Sequence, residues 1–132
     1  MFELKIKTHF AAAHQLRIMK SKCENLHGHN WHIEVCVAGK NLDETGLLLD
    51  FGILKKHLAA IIEKLDHKFL NEIEYFNGNP TSENVAKYIA EKLEESLEYP
   101  ELFVSRVTAW ESEDACVTYY PKGNIFNQEN YI

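Results

Sequence analysis

The chain has 132 residues, 45% of them apolar and 26% charged, and its 14 basic and 20 acidic side chains leave a net charge of −6. One domain over 1–132 with an ordered core is expected; wholesale disorder is excluded, and nonspecific nucleic-acid binding, which usually needs a basic face, is not expected. No apolar run approaches the about 18 residues that cross a membrane, three cysteines close no disulfide framework, and Met1-Phe2-Glu3-Leu4-Lys5 carries no secretory pattern, so a reducing, cytoplasmic, membrane-free setting is expected.

Residues 2–13 alternate, with Phe2, Leu4, Ile6, Thr8, Phe10 and Ala12 on one face and Glu3, Lys5, Lys7 and His9 on the other. That period of two predicts a half-buried strand. Residues 14–28 are polar and read as a loop. A second strand is predicted over about 29–38, with Trp31, Ile33, Val35 and Val37 on one face. Phe51, Leu54, Leu58, Ile61, Ile62 and Leu65 have helical spacing, and Asp50 can cap that helix over about 51–65. Residues 71–80 read as a loop. A second helix starts near Thr81 or Ser82 and ends near Leu97, with Val85, Ile89, Leu93 and Leu97 four residues apart and Pro100 beyond. Strands over about 102–111 and 115–120 close the pattern, joined by Ser112-Glu113-Asp114 as a hairpin turn. The order predicts an α+β fold, a four-stranded antiparallel sheet with two helices over one face. Four strands leave two edges and a second sheet face, and if that face is apolar, oligomerisation is the expected way to cover it.

Four of the seven histidines fall between His14 and His32. In His27-Gly28-His29 the two imidazoles lie on one side of an extended segment, about 7 Å apart, and can converge on one ion. His14 continues the face of Phe10 and Ala12, so antiparallel pairing of the first two strands returns it to the same place. Three neutral imidazoles with one open position describe a catalytic zinc site. Ordinary polar residues at strand ends give the same letters. His9 and His32 have the opposite parity and His57 follows two lysines, so these three read as surface residues.

Cys23 lies four residues before His27 and follows Arg17, Lys20 and Lys22, cations that favour a thiolate and can hold an anionic substrate, although the cysteine alone also reads as a small loop residue. Cys36 and Cys116 sit inside strand patterns and read as packing residues. Asp66-His67 is a carboxylate–imidazole pair suited to proton transfer, although the dipeptide alone reads better as a polar helix end. Glu111 ends a strand on the face of Val107 and Ala109, where a buried carboxylate needs a partner and can accept two parallel N–H bonds from a guanidine-like ring edge; a solvent-exposed strand end gives the same letters. Thr81 and Ser82 read as a helix cap whose free N–H groups can also face a ligand.

Taken in order, Phe10-Ala11-Ala12-Ala13-His14, Cys23-Glu24-Asn25-Leu26-His27-Gly28-His29, Leu49-Asp50-Phe51, Leu65-Asp66-His67, Asn79-Pro80-Thr81-Ser82-Glu83-Asn84 and Trp110-Glu111 resemble the 6-pyruvoyl-tetrahydropterin synthase family. The likeness runs from about residue 2 to 120 and is closest to the 6-carboxy-tetrahydropterin synthase branch of queuosine biosynthesis. It implies a tunnelling fold in which three subunits close a barrel and two trimers stack into a homohexamer. It also implies zinc on His14, His27 and His29, and Cys23 as the proton-abstracting base. Asp66 and His67 would complete the proton-transfer group from a neighbouring subunit. Glu111 would anchor the pterin, with Thr81 and Ser82 nearby. The implied reaction is that of a lyase, converting 7,8-dihydroneopterin triphosphate to 6-carboxy-5,6,7,8-tetrahydropterin with release of acetaldehyde and triphosphate. The short Cys23–His27 spacing separates this branch from the pyruvoyl branch, which retains the side chain. Cys23 separates it from the branch that cleaves dihydroneopterin and carries glutamate there. The alternatives are pyruvoyl synthesis and a catalytically silent zinc- or pterin-binding module.

Overall fold

The computed structural model describes residues 1–18, 22–23 and 26–121, with the backbone alone described at 17, 18, 22, 23 and 27. In chain order the elements are β1 (Phe2–His14), β2 (Arg17–Ile18), β3 (Lys22–Cys23), β4 (His27–Gly39), α1 (Phe51–Glu63), β5 (Lys68–Phe69), short 3-10 turns at Leu70–Glu72 and Glu74–Phe76, α2 (Ser82–Ser96), β6 (Phe103–Ser112) and β7 (Ala115–Tyr119). The α+β class and all four long strands and helices therefore stand as the periodicity predicts. The loop over 14–28 contains the two-residue pairing of β2 with β3. The loop over 71–80 contains part of the two 3-10 turns.

The sheet is larger than expected. It has five strands in the order β5-β1-β4-β6-β7, and β5 runs parallel to β1, pairing Lys68 with Ala12 and Phe69 with Ala13. A two-residue strand has no period to read, so only the tertiary position of the chain after α1 creates it. The remaining pairs are antiparallel.

One face of the sheet is the core. Ile6, Phe10 and Ala12 of β1, Trp31, Ile33, Val35 and Val37 of β4, and Val104, Val107 and Ala109 of β6 are buried there. Leu54, Leu58, Ile61 and Ile62 of α1 and Val85, Ile89 and Leu93 of α2 cover them. Val104 and Val107 are three residues apart, which a regular strand would put on opposite faces. Both are buried because the pairing shifts from Cys36–Arg106 to Val37–Val104, a bulge that resets the alternation.

Three packing expectations are corrected. Phe51 is 54% exposed, because the buried stripe of α1 begins one turn later at Leu54. Cys116 is exposed, since β7 is the sheet edge, whereas Cys36 is buried as expected; both are free thiols. His57 is half-buried, its Nδ1 lying 3.1 Å from the Ser96 hydroxyl. Among the described residues, no helix is long and apolar enough to cross a membrane.

The helix starts are built as their residues suggest. The Asp50 carboxylate accepts the Gly52 N–H at 2.6 Å, and the Thr81 hydroxyl accepts the Asn84 N–H at 3.1 Å. Asp50→Ala leaves a first-turn donor without its partner and is expected to cost about 1 kcal/mol. Urea unfolding with an unchanged midpoint would remove that role.

Candidate functional site

The site begins with strand register. β1 and β4 pair without interruption from Phe2–Gly39 to His14–His27, so His14 faces the backbone of His27, and His29 pairs with Ala12. His14 and His29 meet at the end of the sheet with ring centroids 4.9 Å apart and planes at 79°. Trp31, fully buried, lies edge-on to both, at 5.2 Å from His14 and 5.8 Å from His29.

His14 is 1% exposed, and its Nδ1 lies 2.9 Å from the carbonyl oxygen of Pro80. A carbonyl oxygen only accepts, so Nδ1 carries the proton. In the neutral form of that tautomer, Nε2 is the lone-pair atom. Pro80 immediately precedes the Thr81 cap of α2, so the start of that helix fixes which nitrogen of His14 faces the site.

Glu111 completes the cluster. Its Oε1 lies 2.8 Å from Nε2 of His14 and 3.1 Å from Nε2 of His29, while Oε2 accepts the Ser82 hydroxyl at 2.9 Å. The β6–β7 pairing steps from Trp110–Cys116 to Ser112–Ala115, so Glu111 is the extra residue of a second bulge. Such a residue leaves the ladder and its side chain is re-aimed, here to the histidines.

A lone pair on Nε2 and a carboxylate oxygen 2.8 Å away are two acceptors face to face. The contact is repulsive unless a cation lies between them, either a proton or a metal ion. His14, His29 and Glu111 each offer one ligand atom, and those atoms lie within 4.8 Å of one another. Tetrahedral zinc with bonds near 2.0–2.1 Å separates its ligand atoms by roughly 3.3 Å. The Oε1 spacings of 2.8 and 3.1 Å need to open by about 0.5 Å or less, all three ligand atoms already lie within 4.8 Å of one another, and nitrogen with carboxylate oxygen is a donor set zinc accepts. The residues fit a metal.

The side chains of Cys23, His27, Arg17 and Lys22, and the whole of Lys20, lie outside the described residues, as does the tail after Pro121. Of the expected site residues whose side chains are described, His14, His29, Ser82 and Glu111 are brought together. Thr81 caps the helix beside them. Sequence reading missed Pro80 as the partner of His14 and Glu111 as a member of the cluster. The parity of Glu111 with Val107 and Ala109 carried part of that signal; the adjacency of β6 to β4 did not show in the sequence.

Asp66 and His67 stand at the edge of β1. The Ala11 N–H donates to Oδ1 of Asp66 at 3.0 Å, the His67 N–H donates to the Ala11 carbonyl at 2.6 Å, and Nδ1 of His67 lies 3.0 Å from Oδ1 of Asp66. His67 has φ +58°, a conformation non-glycine residues seldom adopt, and this clip to β1 holds it there. Beside it is an open groove of about 520 Å³. Ala11, Ala13 and Gly28 leave it room, and His29, His67 and Lys68 bring it polar groups. That volume suits a small ligand. A single chain thus puts His29 and His67 on one groove.

The Ala11 N–H, and then the neighbouring His67, hold the Asp66 carboxyl below the usual carboxylate range. A depressed folded-state pKa adds stability that is fully present above the unfolded value of about 3.9 and is lost as pH falls through the folded value. Between pH 7 and 3, the wild type is expected to lose stability more steeply below about pH 4 than Asp66→Asn. Parallel pH–stability curves for the two proteins would remove the clip.

Comparison with known proteins gives the family and the fold. The model of the family described as 6-pyruvoyl tetrahydropterin synthase matches residues 3–122. A Synechocystis protein named 6-carboxy-5,6,7,8-tetrahydropterin synthase is 44% identical over 92 residues, covering 66% of this chain and 70% of its own. A Pyrococcus furiosus protein named dihydroneopterin monophosphate aldolase is 36% identical over 105 residues, 80% of this chain and 85% of its own. The structure of Caenorhabditis elegans 6-pyruvoyl tetrahydropterin synthase superposes with a TM-score of 0.79 at 31% identity, covering 90% of this chain and 94% of that one.

Proposed function

The chain belongs to the 6-pyruvoyl tetrahydropterin synthase family, and from that premise we propose that it converts 7,8-dihydroneopterin triphosphate and one water to 6-carboxy-5,6,7,8-tetrahydropterin, acetaldehyde and triphosphate, in queuosine biosynthesis. It is an enzyme of this family, similar to the proteins named 6-carboxy-tetrahydropterin synthase. The observation that carries the reading is the metal-competent cluster of His14, His29 and Glu111 at the end of the sheet.

His14, His27 and His29 would hold zinc. Bound there, the ion supplies Lewis acidity toward side-chain oxygens of the substrate and so acidifies the adjacent C–H bonds. Cys23 removes a proton from the side chain as thiolate. His67 carries protons, and Asp66 keeps its ring oriented through the 3.0 Å contact at Nδ1. Glu111 accepts the ring N–H groups of the pterin, with Ser82 and Thr81 beside it. Arg17, Lys20 and Lys22 offer the local positive charge a triphosphate needs on a chain of net −6. The protein acts in the cytoplasm as a homohexamer of two stacked trimers, a reading supported by β7 standing at the sheet edge.

Pyruvoyl synthesis is the second reading, favoured by the likeness to the Caenorhabditis elegans structure. Incubating the zinc-loaded protein with 7,8-dihydroneopterin triphosphate and weighing the products decides. The 6-carboxy mass together with acetaldehyde is expected. The 6-pyruvoyl mass would replace the first reading with the second. A hydroxymethyl product would place the chain with the aldolases, and metal-loaded protein without any product would make it a binding module.

A further inference from the structure

Both oxygens of Glu111 are already engaged. Oε1 faces the Nε2 atoms of His14 and His29 at 2.8 and 3.1 Å, and Oε2 takes the Ser82 hydroxyl at 2.9 Å. A ring edge that offers two parallel N–H groups needs both carboxylate oxygens turned toward it. A carboxylate that anchors a pterin must therefore give up its present contacts when the ring arrives.

We propose that Glu111 is a ligand of the metal centre through Oε1 in the substrate-free protein, positioned by Ser82, and that it exchanges to the substrate ring when a pterin binds. The proposal deepens the function given above, since it rests on a metal at these histidines and a pterin at this carboxylate. Three features support it. The proton on Nδ1 of His14 points to Pro80, so Nε2 is the nitrogen that faces Oε1, and a metal ion shared by those two atoms makes a bond to each. Zinc is commonly bound by histidine nitrogen and carboxylate oxygen together. Glu111 also lies on a bulge, where its backbone is released from the β6–β7 ladder, and its side chain is partly exposed. The exchange has a chemical use. The carboxylate occupies the open coordination position when no substrate is present, and it frees that position in the same movement that captures the ring. Ser82 is the hinge, because it holds the oxygen away from the metal and fixes the angle of the other.

Cobalt(II) in place of zinc gives visible bands that report the ligand set without turnover. Bands and affinity, by competition with a chelator, are to be measured for the wild type, Glu111→Gln, Ser82→Ala and His14→Ala, each with and without neopterin, which lacks phosphates. Glu111→Gln is expected to bind cobalt at least about tenfold more weakly and to show altered bands before any pterin is added. Ser82→Ala is expected to weaken binding by about tenfold, as loss of an orienting partner does. Neopterin is expected to shift the bands of the wild type toward those of Glu111→Gln and to leave that variant's bands in place. Cobalt affinity and bands in folded Glu111→Gln that match the wild type would overturn the proposal; a proton then fills the contact. If they match while His14→Ala loses cobalt, the metal centre survives and this step alone fails. If the wild type binds no cobalt, both fail. Wild-type bands that ignore bound neopterin would overturn the exchange.

Discussion

His14→Ala is expected to lose the metal and, with it, at least about a hundredfold in turnover, while Cys23→Ala keeps the metal and still loses turnover. The two substitutions separate binding the ion from moving the proton. His14 is almost fully buried, its Nδ1–H is committed to Pro80, and its Nε2 is one of the cluster's ligand atoms. Removing the ring deletes a ligand and leaves the Pro80 carbonyl and the Glu111 carboxylate without it. Lewis-acid stabilisation is worth several kcal/mol, so its loss accounts for at least about two powers of ten in rate. Removing a general base costs about 10²- to 10⁴-fold on its own. Metal analysis by mass spectrometry distinguishes the cases: about wild-type zinc content is expected for Cys23→Ala and little for His14→Ala. Zinc retained in full by His14→Ala would remove His14 from the centre, and full turnover by Cys23→Ala would remove the thiol from the reaction.

How far this site can be read from sequence depends on how local each cause is. Parity along two strands is local, and it placed His14 and His29 on the face that the structure shows. The cap residues Asp50 and Thr81 also act within three residues of themselves, and both stand as read. Glu111 is different. Its place on the face followed from Val107 and Ala109, but its contact with two imidazoles depends on β6 lying beside β4 and on the bulge at its own position. A bulge adds one residue to a strand and leaves almost no mark in composition. β5 is harder still, because Lys68 and Phe69 become a strand only through the edge of β1. The Asp66-His67 dipeptide, read alone, is a polar helix end. What gives it a distinct character is the backbone of Ala11, fifty-five residues earlier, and no periodicity reaches that far. The tautomer of His14 has a similar origin in Pro80, sixty-six residues later.

Trp31→Ala is expected to be the most destabilising single change in the core, by about 3–5 kcal/mol, whereas Trp31→Phe is expected to cost far less. Trp31 is fully buried on β4, stacked on Phe10 at 5.8 Å with planes 2° apart, and edge-on to His14 and His29. Alanine there opens a cavity that two strands and a helix layer cannot collapse into without breaking their register. Phenylalanine loses part of that volume but also removes the indole N–H, which is buried without a hydrogen-bond partner among the described residues. An unsatisfied buried donor costs about 1–3 kcal/mol, so its removal offsets much of the lost packing. The net cost of the phenylalanine variant is then expected within about 1–2 kcal/mol. The indole floor also holds both imidazoles in their crossed arrangement, so the alanine variant is expected to lose metal affinity along with stability, and the phenylalanine variant to keep most of both. Denaturant unfolding and a metal competition assay on the two variants test this directly. Equal destabilisation by both substitutions would mean that the indole N–H is satisfied, and unchanged metal affinity in Trp31→Ala would mean that the histidines hold their geometry without the ring beneath them.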